Sequence, residues 1–145
     1  MGPAVSEAQR NTDLDYIRIG KDEGAKLLLG GGISSGPEYT NGFFFEPTIF
    51  ANVTPNMRIA REEIFGPVLA VLEAEDFEEA LAIANNSEYG LSAGICTTSL
   101  KKAHEFAARV QAGVVKVNKP TTGLELQMPY GGIKRSSSQS FKEQG

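Results

Sequence analysis

The chain has 145 residues, of which 41% are apolar and 22% charged, and a net charge of -4. A chain of this length buries roughly 70% of the surface it exposes when unfolded, so it folds without disulfides or a structural metal. The single Cys96 and single His104 cannot make a closed zinc site, and a Ser-His-Asp triad would have to use His104. Basic residues are spread along the chain, which argues against a nucleic-acid partner. No apolar run approaches the roughly 20 residues of a membrane span, and MGPAVSEAQR lacks the regions of a signal peptide. A cytoplasmic, single-domain protein covering residues 1–145 is the expectation.

Ser6 followed three residues later by Gln9 has the form of a reciprocal helix cap, and the apolar positions Ala8, Leu14, Tyr16 and Ile17 continue it. Gly20 or Gly24 should stop that helix. Lys26 to Leu29 reads as a short buried strand running into Gly30-Gly31-Gly32. A phosphate cradle needs a helix to begin there, and Ile33-Ser34-Ser35-Gly36-Pro37 does not begin one. Gly42 to Val53 is aromatic and β-branched, but Pro47 removes a ladder donor and predicts an edge or bent strand.

A charged helical turn follows between Met57 and Phe65, and Pro67 to Glu73 is a nearly continuous apolar strand that asks for cover on both faces. Asp76 with Glu79 caps a helix carrying Phe77, Ala80, Leu81 and Ala84, which Asn85 and Asn86 end. Leu91 to Thr97 is the next strand. Ser99 caps a helix with Leu100, Ala103, Phe106, Ala107 and Val110 on one face, closed by Gly113, and Val114 to Asn118 is the last strand. Strand and helix alternating at this spacing imply crossover units on a parallel sheet, hence an α/β fold. From Lys119 onward the period is lost in a long stretch of turn and polar residues, the kind that carries function or an interaction surface.

Two readings of Glu62-Glu63-Ile64-Phe65-Gly66-Pro67-Val68 are open from the residues. The acids are a solvated turn with Phe65 in the core, the commoner case, or a carboxylate here accepts ribose hydroxyls while the aromatic meets a flat ring. Cys96 sits in an apolar strand context, which predicts a buried structural thiol. His104 falls on the polar face of its helix beside Lys101 and Glu105. Pro129-Tyr130-Gly131-Gly132-Ile133-Lys134 suits either a surface turn or a pocket wall, with Tyr130 placing an amphipathic ring at the mouth.

Taken in order, Gly2-Pro3, Glu23-Gly24-Ala25-Lys26, Glu46-Pro47-Thr48-Ile49-Phe50, Arg61 to Val68, Ala84-Asn85, Tyr89 to Ala93, Ala112-Gly113, Val117-Asn118 and Pro129 to Lys134 resemble the C-terminal part of the aldehyde dehydrogenase catalytic domain. The resemblance runs through nearly all of the chain. It implies a three-layer α/β fold, a mostly parallel sheet with helices on both faces, and a complete enzyme that oxidises an aldehyde to the carboxylate with NAD or NADP. On the family's motif, Glu63 holds the nicotinamide-side ribose and Phe65 contacts the nicotinamide end, while Asn118 and the loop to Tyr130 line the aldehyde entrance. The family's nucleophilic cysteine, its general-base glutamate and most of its cofactor site fall outside the matching segment, so Cys96 is not the nucleophile and the chain alone should be inactive. Arg135-Ser136-Ser137 replaces the usual Ser-Gly pair after Lys134. The stretch from Lys119 to Ser138 looks most like the branch acting on 2-oxoglutarate semialdehyde and related acidic semialdehydes. Ending at Gly145, before the strand that relatives use to assemble, the chain should self-associate through Phe43, Phe44, Phe45 and the segment from Lys119 to Tyr130. The alternative is a shortened homologue acting as a non-catalytic interaction module.

Overall fold

The computed structural model describes residues 1–123 and 128–137, and these divide into two compact units between Glu73 and Ala74. In the first, α1 (Glu7–Asp22) begins at Ser6, whose side chain accepts from the Gln9 amide. The helix runs through Gly20, where an added Cβ would lie 3.0 Å from Ile59 and 3.1 Å from Phe50; the missing side chain lets the helix sit directly on the core. It stops at Gly24, whose φ of 91° costs an L-residue but not glycine. The amides of Gly24 and Ala25 bond back to Lys21 and Gly20, a Schellman closure of the last turn.

Three strands follow, β1 (Lys26–Leu29), β2 (Thr48–Ala51) and β3 (Val68–Ala70), in the order β1-β2-β3, with β1 antiparallel and β3 parallel to β2. The Gly42 to Val53 segment is therefore central, not an edge. Pro47 lies one residue before the ladder, so its missing N–H removes no sheet bond, and Phe50 is fully buried. The strands expected to be buried are less so, because Leu28, Leu29 and Leu69 are exposed. Between β2 and β3, α2 (Arg58–Arg61) supplies Ile59 to a core of Ile17, Ala25, Phe45, Phe50, Val53 and Ile64; burying one such Phe or Ile side chain contributes about 1.5–3 kcal/mol. The glycines after β1 are tied to β2: the Gly31 amide donates to Thr48 Oγ1 and the Gly32 amide to Glu46 Oε2.

The second unit opens with α3 (Phe77–Asn85), capped by Asp76 Oδ1 accepting from the Glu79 amide. Strand β4 (Tyr89–Gly90) pairs antiparallel with β7 (Ile133–Lys134), and β5 (Ser92–Ile95) pairs parallel with β6 (Val114–Val117) through α4 (Leu100–Arg109). The crossover expected from β5 through α4 to β6 is thus present, whereas the one expected from β3 through α3 to β5 is not, since β3 pairs with β2 and β5 with β6. Helix α4 ends at Arg109, four residues before Gly113, because Val110 is already extended. Of its expected apolar face Phe106 is buried and Leu100 exposed. A bidentate pair from Arg109 to Glu78, 2.8 and 2.5 Å, ties α4 to α3. Cys96 is exposed, which corrects the buried-thiol reading: β5 ends at Ile95, so Cys96 follows the strand instead of sitting inside it.

Candidate functional site

The two acids of the Glu62-Glu63 pair do different work. Glu62 lies four residues after Arg58 on α2 and takes a bidentate contact from its guanidinium, 2.9 Å to each oxygen, while the Tyr16 hydroxyl donates to it at 2.7 Å. These bonds, Arg58's first, hold the Glu62 carboxyl below the ordinary carboxylate range. Glu63 is exposed, and its side chain makes no hydrogen bond or ion pair among the described residues. Phe65, expected in the core on the commoner reading, is 81% exposed and has a φ of 59°. A bulky residue in the left-handed region is strained, so the turn spends backbone energy to keep this ring off the core. The same turn is anchored by Ile64, which is buried.

Phe65 borders a cavity of about 540 Å³ that Pro3, Ala4, Gln9, Asp13, Phe45 and Gly66 also line. Asp13 is fully buried; burial pushes its carboxyl up, against the opposing effect of the Gln9 bond. The α1 pattern contained no sign of this, since Asp13 reads as one more polar position on an amphipathic helix.

In the second unit, Tyr130 lines a cavity of about 450 Å³ with Val115, Val117, Lys116, Lys119 and Met128. Asn118, the other entrance candidate, does not line it. Its side chain bridges two strand ends: Oδ1 accepts from the Thr97 amide at 2.8 Å and Nδ2 donates to the Thr97 carbonyl at 2.9 Å. The residue extends the β5–β6 ladder by one side-chain step, at a φ of 53° that asparagine tolerates better than most. Residues 124–127, within the loop expected to line the entrance, lie outside the described residues.

Sequence reasoning missed several side chains that build this second unit. Lys134 Nζ donates to the carbonyls of Asn85 and Ser87 at 2.8 and 2.9 Å, capping the end of α3. Asn85 accepts from the Gln111 amide and donates to the Arg109 carbonyl. The departures after Lys134 have work too: Arg135 pairs with Glu88, and Ser136 Oγ accepts from the Gly90 amide at 3.0 Å. His104 is exposed on α4, beside the Lys101–Glu105 ion pair. Among the described residues no group of three or more His, Cys, Asp or Glu could hold a metal, and no helix is long and apolar enough to cross a membrane.

The model of the aldehyde dehydrogenase family matches residues 1–145. The chain is 55% identical over all 145 residues to the α-ketoglutarate semialdehyde dehydrogenase of Haloferax volcanii and 54% identical to the 2,5-dioxopentanoate dehydrogenase of Saccharolobus solfataricus. It spans about 30% of the length of each. Among solved structures, the betaine aldehyde dehydrogenase of Staphylococcus aureus aligns with a TM-score of 0.90 at 38% identity, covering 94% of this chain and 27% of that one. The aldehyde dehydrogenase of Mycobacterium tuberculosis, solved with NAD+, aligns at 0.87 and 42%, over 94% of this chain and 27% of that one. The fold is accordingly the three-layer α/β type of those catalytic domains, with parallel and antiparallel pairings mixed in its sheets. Matched along its whole length in sequence and over nearly all of it in structure, the chain belongs to the aldehyde dehydrogenase family.

Proposed function

We propose that residues 1–145 are the C-terminal portion of the catalytic domain of an NAD(P)-dependent aldehyde dehydrogenase, and that they clamp the cofactor and wall the aldehyde entrance. The observation that carries this reading is the division of labour at residues 62–65. Glu62 is pinned by Arg58 and Tyr16, while Glu63 and the Phe65 ring face outward, unengaged, from a strained turn. Those two groups fit the nicotinamide half of NAD(P): Glu63 accepts ribose hydroxyls, and Phe65 offers an apolar face to the ring. Bound NAD(P) supplies the acceptor for the hydride that leaves the substrate carbon. The residues of this chain bind and orient, and contribute no nucleophile. Cys96, although exposed, has no hydrogen-bonded base among the described residues, so the chain by itself should oxidise no aldehyde.

The substrate class we infer is an acidic semialdehyde of the 2-oxoglutarate type. Lys116 and Lys119 line the cavity beside Tyr130, which suits a carboxylate-bearing aldehyde, and two of the most similar relatives carry names of that class. We place the enzyme in the cytoplasm and expect self-association. Phe43 is the exposed part of the aromatic run available for that contact, since Phe45 is buried and Phe44 is half-buried against Tyr39; light scattering showing only monomer at high concentration would refute the association.

In the full-length enzyme, Glu63→Gln should weaken NAD+ binding or slow hydride transfer by about tenfold with folding unchanged, because one ribose-facing acceptor oxygen becomes a donor. Unchanged NAD+ affinity and rate would show that Glu63 is only a solvated acid.

A further inference from the structure

The turn that presents Glu63 and Phe65 is held from outside its own segment. Gln9, 55 residues away in sequence, has its side-chain amide nitrogen within reach of two acceptors: Asp13 Oδ1 at 2.8 Å, one helical turn along α1, and the backbone carbonyl of Ile64 at 3.1 Å. An amide NH2 has one proton for each. Asp13 thereby fixes the Gln9 rotamer, and Gln9 carries that order to the carbonyl immediately preceding Phe65. Asp13 also meets the turn directly: a Cβ on Gly66 would stand 2.4 Å from Asp13 Oδ1 and 2.8 Å from Oδ2. The carboxyl therefore lies against the bare Cα that follows Phe65.

We propose that Gln9, braced by Asp13, is a positioning residue that locks the Ile64–Gly66 turn and so aims Glu63 and Phe65 at the cofactor. The inference rests on the reading of Glu63 and Phe65 as cofactor contacts. A purely structural role for Gln9 would have been the reciprocal cap, with its side chain turned back to Ser6; it reaches instead to Asp13 and Ile64. Asp13 Oδ2 is buried without a hydrogen-bond partner. Leaving an acceptor unpaired is costly, and an amphipathic helix has no need of a carboxylate at that position, so the bracing of Gln9 is the return on that cost.

The test uses Gln9→Met, which keeps length and loses the donor, and Asp13→Asn, which keeps an acceptor for Gln9. Heteronuclear NMR of this chain reads the left-handed signature of Phe65 in its Cα and Cβ shifts, with urea midpoints taken in parallel. Calorimetric titration of the full-length enzyme with NAD+ reads affinity. Gln9→Met should lose the Phe65 signature and bind NAD+ about fivefold more weakly, as for one lost hydrogen bond, and its urea midpoint should fall, because Asp13 Oδ1 and the Ile64 carbonyl lose their shared donor. Asp13→Asn should retain both signature and affinity, and it supplies the comparison if Gln9→Met fails to fold: an Asp13→Asn chain that folds but loses the signature would overturn the bracing. A wild-type Phe65 signature in Gln9→Met overturns the positioning role. A loosened turn with unchanged NAD+ affinity, together with unchanged affinity in Glu63→Gln, overturns the cofactor reading on which the proposal stands.

Discussion

Replacing Asn118 separates a structural bridge from a substrate-facing residue. Its side chain makes two hydrogen bonds to Thr97, at 2.8 and 2.9 Å, and its backbone sits at a φ of 53°. Each neutral bond contributes about 0.5–1.5 kcal/mol, toward the low end at an exposed site, so losing both costs about 1–2 kcal/mol. Alanine in the left-handed region adds up to about 1 kcal/mol, whereas glycine adopts it freely. Asn118→Ala should therefore destabilise the chain by about 2 kcal/mol and Asn118→Gly by about 1 kcal/mol. Asn118→Asp keeps the acceptor for the Thr97 amide but sets its second oxygen against the Thr97 carbonyl. This variant should be less stable than wild type at neutral pH, since it sets an acceptor against an acceptor where Asn118 placed a donor. Urea unfolding followed by far-UV circular dichroism measures all three, the chain having no tryptophan. Alanine and glycine variants both within about 0.3 kcal/mol of wild type, or glycine the worse of the two, would refute the bridge.

Gly113→Ala should be among the most damaging single changes, costing about 3 kcal/mol or more, because its Cβ would lie 1.8 Å from the Gly131 carbonyl oxygen and two backbones would have to part; a urea midpoint unchanged from wild type would show that β6 yields at no cost. Glu62 titrates below its unfolded value of 4.5, so the stability it brings is present above that value and lost as pH falls through the folded pKa. Arg58→Gln should move the Glu62 titration upward in a carbon-detected NMR series and flatten the acid limb of the stability curve. An unmoved titration would mean that the Arg58 contact is absent in solution.

Local chemistry made much of this protein legible without coordinates. Ser6, Asp76 and Ser99 each cap a helix because a short acceptor side chain three residues before a free amide reaches that amide whatever the rest of the fold does. The β5-α4-β6 crossover follows from apolar runs separated by one amphipathic helix. Family motifs in order, each weak alone, brought residues 62–68 and 129–134 to notice.

What the residues could not disclose depended on partners distant in sequence. Glu62 and Glu63 are the same amino acid in adjacent positions; only the Tyr16 hydroxyl, 46 residues away, and the spacing of Glu62 from Arg58 make one a strut and leave the other outward. Of these signals the i, i+4 spacing alone was available beforehand. Phe65 reads as core by composition, and its exposure follows from a left-handed turn held between Ile64 in the core and Gly66 against Asp13. Cys96 reads as buried because its neighbours are apolar, yet a strand that ends one residue earlier exposes it. Capping and periodicity act over a few residues and can be read along the chain, whereas burial and the choice of hydrogen-bond partner are set by which distant segments the fold brings within about 3 Å.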